Sequence, residues 1–400
     1  MDALVYGFSP PRWLLARHAG RLPALAVALS GVTLRRMPAP EPPGPDWVRV
    51  RVRLAGICGT DVSALTGQTG PQLSPFVSFP AVMGHEVLGV VEDGPWAGRR
   101  VVLDPFLGCR VRGLPECPAC AAGQTAVCHR FAEGALPPGM LLGYCRGLPG
   151  GWSERLVAHV SQLHPVPDGV DDASAVLAEP LAVAAHAVLP HLPEPAARVL
   201  VIGAGTIGLS VVAALTLLGA AAETVVVARR PAQAALAARL GAGRRVRGVG
   251  EAERLAEEQG WGRGFPGLLG TRGWTGGFDQ VFDAVGAPAT LAAALRLTRA
   301  GGRAVLLGCS GRMPRLDLTD LWSHEITVDG TCGYGREAGA ADAHTLDLVL
   351  QRMAERPDVP VCDLVTHRYP LQAYRQALRA AFFHRQSGAV KVVFDLGEGA

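Results

Sequence analysis

The 400-residue chain is nearly without lysine: Lys391 is the only one, so arginine carries almost all of the positive charge. With 50 glycines beside it, that skew reads as composition bias rather than as function. Net charge is scarce too. Lysine and arginine total 38 against 35 acidic residues, a formal +3, and no basic stripe is clustered along the chain. So small a balance gives no electrostatic case for nucleic acid or an anionic membrane as partner. Charged residues are 18% and hydrophobic ones 49%, which leaves no room for a long disordered tail. Internal repeats and heptads are absent. The N-terminus has no basic segment ahead of an apolar run; Met1-Asp2 leads instead to Pro10-Pro11-Arg12, so it does not read as a secretory signal. Residues 199–222 hold no charge over 24 positions, enough to pass a crude test for a membrane span, but glycines interrupt them at nucleotide-motif spacing. The expectation is a cytoplasmic protein whose nine cysteines serve as thiolates, some holding metal, rather than as disulfides.

What is present falls into two textures, and the length favours two domains. Residues 45–58 and 85–103 carry short alternating Val and Leu runs between Gly and Pro, the strand signals of a small β body. Near residue 171 the chain turns to alanine-rich helix, begun by Asp171 and Asp172 and carried over 173–189. From residue 198 strands and helices alternate. Apolar runs at 199–202, 224–228, 280–284 and 304–308 read as strands buried on both faces of a parallel sheet, with helices at 208–218 and 232–240 as crossovers. A Gly- and Trp-rich insertion at 260–277 reads as a surface loop. After about 325 the first texture returns, with a strand at 326–331, helices near 338–354 and 371–383, and a closing strand at 389–395. The expected organisation is a catalytic domain from residues 1–185 and 326–400, interrupted by a nucleotide-binding domain over 186–325.

Gly203, Gly205 and Gly208 have G-x-G-x-x-G spacing directly after an apolar strand and at a helix start. The first permits a tight turn, the second lets backbone approach a pyrophosphate, and the third lets helix pack on strand. The helix N-terminus then offers unpaired N–H groups to phosphates. At the end of the second strand an acidic residue would bind the ribose hydroxyl of NAD, but the sequence there is Val227-Ala228-Arg229-Arg230-Pro231. Small Ala228 leaves room for a 2′-phosphate and the two guanidinium groups supply donors for it, so NADP is preferred and NAD remains possible.

Two groups suggest metal. Cys58, His85 and Glu86 lie at the ends of expected strands, and a thiolate, an imidazole and a carboxylate together suit zinc. Glu179, in Ala-Glu-Pro-Leu at the domain junction, is the natural supplier of a further, exchangeable position. The second group is Cys109, Cys117, Cys120 and Cys128, with gaps of seven, two and seven residues; four thiolates close a tetrahedral shell, as structural zinc requires. A redox-active Cys-x-x-Cys is the alternative, disfavoured because no thioredoxin-like strand precedes it. Cys145, Cys309, Cys332 and Cys362 have no partner at ligand spacing and read as buried small apolar residues. Trp152 belongs either to a substrate pocket or to the core.

Gly56-Ile-Cys58-Gly-Thr-Asp61, Gly84-His-Glu-Val-Leu-Gly89, Gly150-Gly-Trp-Ser-Glu154, Glu179-Pro-Leu181, the glycine triplet and Phe278-Asp-Gln-Val-Phe-Asp-Ala-Val-Gly286 together resemble the zinc-dependent medium-chain dehydrogenase/reductases, the alcohol dehydrogenase superfamily. The resemblance covers nearly the whole chain, and the Glu-Pro-Leu step is similar to the sorbitol and threonine dehydrogenase branch. It implies an α/β fold: a GroES-like, mainly β catalytic domain plus a doubly wound parallel-sheet Rossmann domain. It also implies a catalytic zinc held by Cys58, His85 and Glu86, with Glu179 ligating directly or through water. In that scheme zinc lowers the pKa of the substrate hydroxyl, Thr60 takes its proton, Asp61 orients His85, and hydride passes to the nicotinamide. The implied substrate is a small alcohol, polyol or carbonyl compound, and the implied assembly a homo-oligomer, dimer or tetramer, with residues 327–333 as an edge strand. Three departures stand out: Ser63 where many relatives have a relay histidine, about five extra residues in the first cysteine gap, and the Arg229-Arg230 pair of NADP-using members. The rival readings are a zinc-free enone or quinone reductase, disfavoured by Cys58, His85 and Glu86, and a nucleotide-sensing protein without turnover.

Overall fold

From Val48 to Leu54 the chain alternates an apolar residue with arginine, a period of two that sends alternate side chains to opposite faces of a strand. In the computed structural model, which describes residues 1–19, 22–308, 313, 316–337 and 342–397, this becomes the strand Trp47–Ile57. It buries Val48, Val50, Val52 and Leu54 and leaves Arg49, Arg51 and Arg53 half-buried. It is the spine of a seven-stranded sheet, pairing antiparallel with Val87–Val91, with Arg155–His159 and with the closing strand Lys391–Asp395. Arg100–Leu103 and Leu163–Pro165 extend one side, Val365–Tyr369 the other. Trp152 lies in the core beneath, fully buried; its indole N–H donates to the Gly56 carbonyl at 3.0 Å and its ring meets Phe394 edge-on. It is packing, not a pocket wall.

The chain divides into two units, one formed by Met1–Glu179, Tyr334–Ala354 and Cys362–Ala400, the other by Pro180–Gly333 and Glu355–Val361. The second holds a parallel sheet of β1 (Arg198–Ile202), β2 (Glu223–Val227), β3 (Arg244–Val246), β4 (Phe278–Asp283), β5 (Thr298–Leu306) and β6 (Thr327–Gly330), in the order β3-β2-β1-β4-β5-β6. That order, reversing between β1 and β4, is the doubly wound dinucleotide arrangement. The uncharged run at 199–222 resolves into β1, α1 (Thr206–Leu217) and their connections. No helix among the described residues is long and apolar enough to cross a membrane.

Three expectations require correction. The strand near 326–331 does not return to the catalytic domain: β6 pairs in parallel with β5, and Ile326 packs on Leu291, Leu295 and Ala304. The catalytic unit resumes at Tyr334. The insertion at 260–277 is not simply a loop but a hairpin, Gly262–Pro266 with Arg272–Gly276, which drives Trp274 into the core of the nucleotide unit. Cys332 is exposed and Cys362 half-buried, Cys332 because it follows an edge strand that is itself largely exposed; Cys145 is buried as expected. Cys309 and the expected helix start at 338–341 lie outside the described residues.

Candidate active site

Cys58 caps the short helix Gly59–Leu65, which follows the long central strand. Three residues on, Asp61 is fully buried and turns back to accept the Cys58 N–H at 2.9 Å. Its other oxygen accepts the Tyr144 hydroxyl at 2.9 Å and lies 3.5 Å from His85 Nδ1. His85 Nε2 in turn stands 3.4 Å from Thr60 Oγ1. Burial alone would lower the pKa of His85, but the Asp61 carboxylate and the Cys58 sulfur reverse this and raise it well above the ordinary range. Tyr144, buried against the same carboxylate, is raised as well. Donor atoms of Cys58, His85 and Glu86 all lie within 4.8 Å of one another.

Glu86 has a second partner that the sequence pattern does not announce. Both its oxygens lie 2.6 Å from Lys391 Nζ, and the pair is almost completely buried. Nζ also reaches the Ile57 carbonyl at 3.4 Å. Gly56 makes room for this pair: a Cβ there would stand 1.7 Å from Glu86 Oε2. Glu179, in the first turn of the helix Ala178–Val188, is buried nearby. Burial pushes its pKa up to about 7, with His85 opposing and Glu86 adding.

The four cysteines of the second group are all buried, and their sulfurs lie within 4.8 Å of one another. Cys109 Sγ is 3.6 Å and Cys117 Sγ 4.0 Å from Cys128 Sγ; zinc–sulfur bonds of about 2.3 Å in a tetrahedron place sulfurs roughly 3.8 Å apart. Burial pushes the Cys128 thiol up to about 11 and that of Cys120 higher still, whereas at Cys117 hydrogen bonds from the backbone and the neighbouring thiols outweigh burial and hold it down at about 6. Four sulfurs so dry ionise together only against a cation. The long first gap closes because it contains Arg112. That fully buried guanidinium donates to the carbonyls of Leu107, Glu133, Leu136, Pro137 and Gly139, folding the extra residues back so that Cys109 reaches the cluster.

In the other unit each glycine of the triplet has its own reason. Gly203 has φ +107°, Gly205 opens onto space with nothing near its missing Cβ, and a Cβ on Gly208 would stand 2.0 Å from the Gly203 carbonyl. Ala228 is buried at the end of β2, Arg229 beside it is exposed, and Arg230 precedes the helix Pro231–Arg239. Asp283, at the end of β4, is spent on structure, accepting the Val285 and Gly286 N–H groups and the Thr290 hydroxyl.

The profile of the alcohol dehydrogenase GroES-like domain matches residues 44–168, and that of zinc-binding dehydrogenases residues 206–350. The chain is 30% identical over 383 residues to L-idonate 5-dehydrogenase of Vitis vinifera, covering 93% of this chain and 94% of the relative. The chain belongs to the zinc-binding alcohol dehydrogenase family. Sorbitol dehydrogenase of Arabidopsis thaliana is 29% identical to this dehydrogenase over 386 residues, covering 93% and 95% of the two chains. The fold is shared with alcohol dehydrogenase TADH from Thermus sp. ATN1, at a TM-score of 0.72 and 24% identity over 99% of this chain and all of the other. The two units of the dehydrogenase are thus the GroES-like and Rossmann domains of its family. Lys391, Tyr144 and Arg112 are the residues sequence reasoning missed. Only Lys391 left a trace, as the one lysine in a chain that otherwise uses arginine.

Proposed function

We propose that this dehydrogenase is a zinc-dependent enzyme that moves a hydride between a secondary alcohol or polyol and NADP(H). The observation that carries the reading is the convergence of Cys58, His85 and Glu86, with Glu179 beside them, on one buried spot. A thiolate, an imidazole and carboxylates fit zinc by donor chemistry. Zinc bound there would polarise the substrate oxygen and lower its pKa. The chain's own residues supply the rest. Thr60, 3.4 Å from His85 Nε2, would take the hydroxyl proton while passing its own on to water, since that His85 nitrogen is committed to the metal. Asp61, tied to the Cys58 N–H and to Tyr144, fixes the His85 ring. Cys109, Cys117, Cys120 and Cys128 would hold a second, structural zinc.

A polyhydroxylated substrate is favoured because the relatives at similar length are named for idonate and sorbitol. NADP is favoured over NAD because β2 ends in Ala228-Arg229-Arg230 with no carboxylate to bind a ribose hydroxyl. The exposed edge strand β6, with Val328 40% accessible, would pair with a second copy to form a homo-oligomer. The test is a metal assay joined to turnover of an alcohol and polyol panel with NADP and with NAD. Two zinc ions in the proposed sites and metal-dependent turnover support the scheme; full turnover without metal overturns it.

A further inference from the structure

A third group of metal-type side chains lies in the catalytic unit, apart from both sites above. Asp104 follows the strand Arg100–Leu103, His164 lies on the neighbouring strand Leu163–Pro165, and His344 arrives from the C-terminal part of the unit, in the two-residue strand Ala343–His344. Asp104 and His164 are buried and His344 is nearly so. One donor atom from each lies within 4.8 Å of the other two, and His344 Nε2 is 3.7 Å from Asp104 Oδ2. The imidazole rings stack at 4.3 Å between centroids, tilted by 25°.

The hydrogen bonds around the group leave one atom unexplained. His164 Nδ1 is bonded at 2.8 Å to Asp347 Oδ1, so the proton sits on Nδ1 and the lone pair on Nε2. That Nε2 is buried and has no hydrogen-bond partner. A carboxylate behind a histidine whose far nitrogen faces inward is how metal-ligating imidazoles are commonly held. Asp104 accepts the Phe106 N–H at 3.1 Å and the Thr125 hydroxyl at 3.4 Å, and among the described residues it pairs with no lysine or arginine. Burial pushes the Asp104 carboxyl up to about 6 and pushes His344 down to about 3. Three metal-type donors in a dry setting, one of them with an unpartnered lone pair, are an arrangement that a cation completes.

We propose that Asp104, His164 Nε2 and His344 Nε2 bind a zinc ion, a third metal site that staples the C-terminal return of the catalytic unit to its sheet. Two imidazoles and one carboxylate select a borderline divalent ion such as zinc over calcium or magnesium. Bonds of about 2.1 Å in a tetrahedron set donors roughly 3.4 Å apart, close to the 3.7 Å between His344 Nε2 and Asp104 Oδ2 and inside the 4.8 Å that bounds the group. His344 gives up one long contact, from the Leu346 N–H at 3.3 Å to Nδ1. The staple acts where the same segment already touches the cysteine lobe, the Arg336 N–H donating to the Gly123 carbonyl and Gln124 Nε2 to the Arg336 carbonyl. Phe106 and Tyr334 wall the site with aromatic rings.

Two measurements on the full-length protein decide the matter, with zinc itself as the probe. An anomalous difference map at the zinc edge from wild-type crystals grown with zinc is expected to show a peak among Asp104, His164 and His344. No peak there while the cysteine cluster is occupied overturns the site. By elemental analysis after zinc loading, His164→Ala and His344→Gln are each expected to hold one ion per chain fewer than wild type, with the cysteine-bound ion retained. Equal metal content in wild type and both variants overturns the proposal too. Should a variant fail to fold, the map from the unaltered protein still decides.

Discussion

All four sulfurs of the cysteine lobe come from one short stretch, the outermost 19 positions apart, whereas Glu86 and the lysine that holds it are separated by 305. The lobe closes through local turns: Gly113 N–H to the Arg110 carbonyl, Leu114 N–H to the Cys109 carbonyl, Gly123 N–H to the Cys120 carbonyl. The Cys58 site exists only once the closing strand Lys391–Asp395 has paired with the end of Trp47–Ile57, setting Val392 opposite Ile57. A local cluster can be damaged without disturbing the distant one; the assembled site fails with any of its contributors.

The largest expected effect follows at Cys58. Replacing it by alanine removes the thiolate donor, and kcat/KM with the best alcohol should fall on the order of 10³-fold, since metal polarisation supplies several kcal/mol. Zinc content should drop by one ion while the lobe keeps its own. Loss of both ions together would break the contrast between local and assembled sites. Next comes Lys391→Met, which in the metal-free protein strands Glu86 as a buried carboxylate. Removing one partner of such a pair costs about 3–5 kcal/mol, so chemical denaturation should show a much earlier midpoint than wild type, and adding Glu86→Gln should recover part of the loss.

In the lobe, Arg112→Leu leaves five carbonyls short of their donor, at a cost of about 3 kcal/mol once some regain water. The expected signature differs from that of Lys391→Met: the lobe loses metal and the melting temperature falls, but kcat of the surviving folded enzyme stays near wild type. A matching collapse of kcat would show that the two regions are less independent than their separate hydrogen-bond networks imply.

These contrasts also explain what could be read from the sequence. The glycine triplet, the four cysteines and the Cys58, His85 and Glu86 positions were legible because each chemistry demands a residue type at a spacing, and local spacing survives folding. Trp274 was misplaced because a Gly-rich segment looks like a loop until a hairpin carries that tryptophan inward. The strand at 327–330 was given to the wrong domain because an apolar run does not say which sheet it joins; Arg303 opposite Thr327 decides that. Lys391 and Tyr144 act through partners 305 and 83 positions away, and Arg112 through carbonyls 5 to 27 positions away, and no period or motif encodes such pairings.

The nucleotide unit repeats the contrast at smaller energies. Arg229 and Arg230 are a local device like the cysteine lobe. Changing both to alanine should raise KM for NADP roughly tenfold, the effect of about 1.4 kcal/mol, and leave KM for NAD nearly unchanged. Equal effects on both nucleotides would assign the arginines to general solvation instead of 2′-phosphate recognition.

Asp279 is the assembled counterpart and carries the smallest effect. It accepts the Arg198 N–H at 2.8 Å and is paired with Arg198 Nε at 3.1 Å and Arg299 Nε at 2.6 Å, joining the starts of β1, β4 and β5. Burial alone would raise its pKa, but the two guanidinium partners and the backbone N–H outweigh this and lower it. A carboxyl with a depressed folded-state pKa contributes stability that is present above its unfolded value and lost as pH falls through the folded one. Asp279→Asn should therefore cost roughly 1 kcal/mol or less at neutral pH, since the pair is partly solvated. The gap between the melting temperatures of wild type and variant should then narrow as the buffer is taken below about pH 4, where an unpaired aspartate begins to protonate. A gap that stays constant into acid would mean that the Asp279 carboxylate contributes nothing through its charge, and that packing alone joins these three strands.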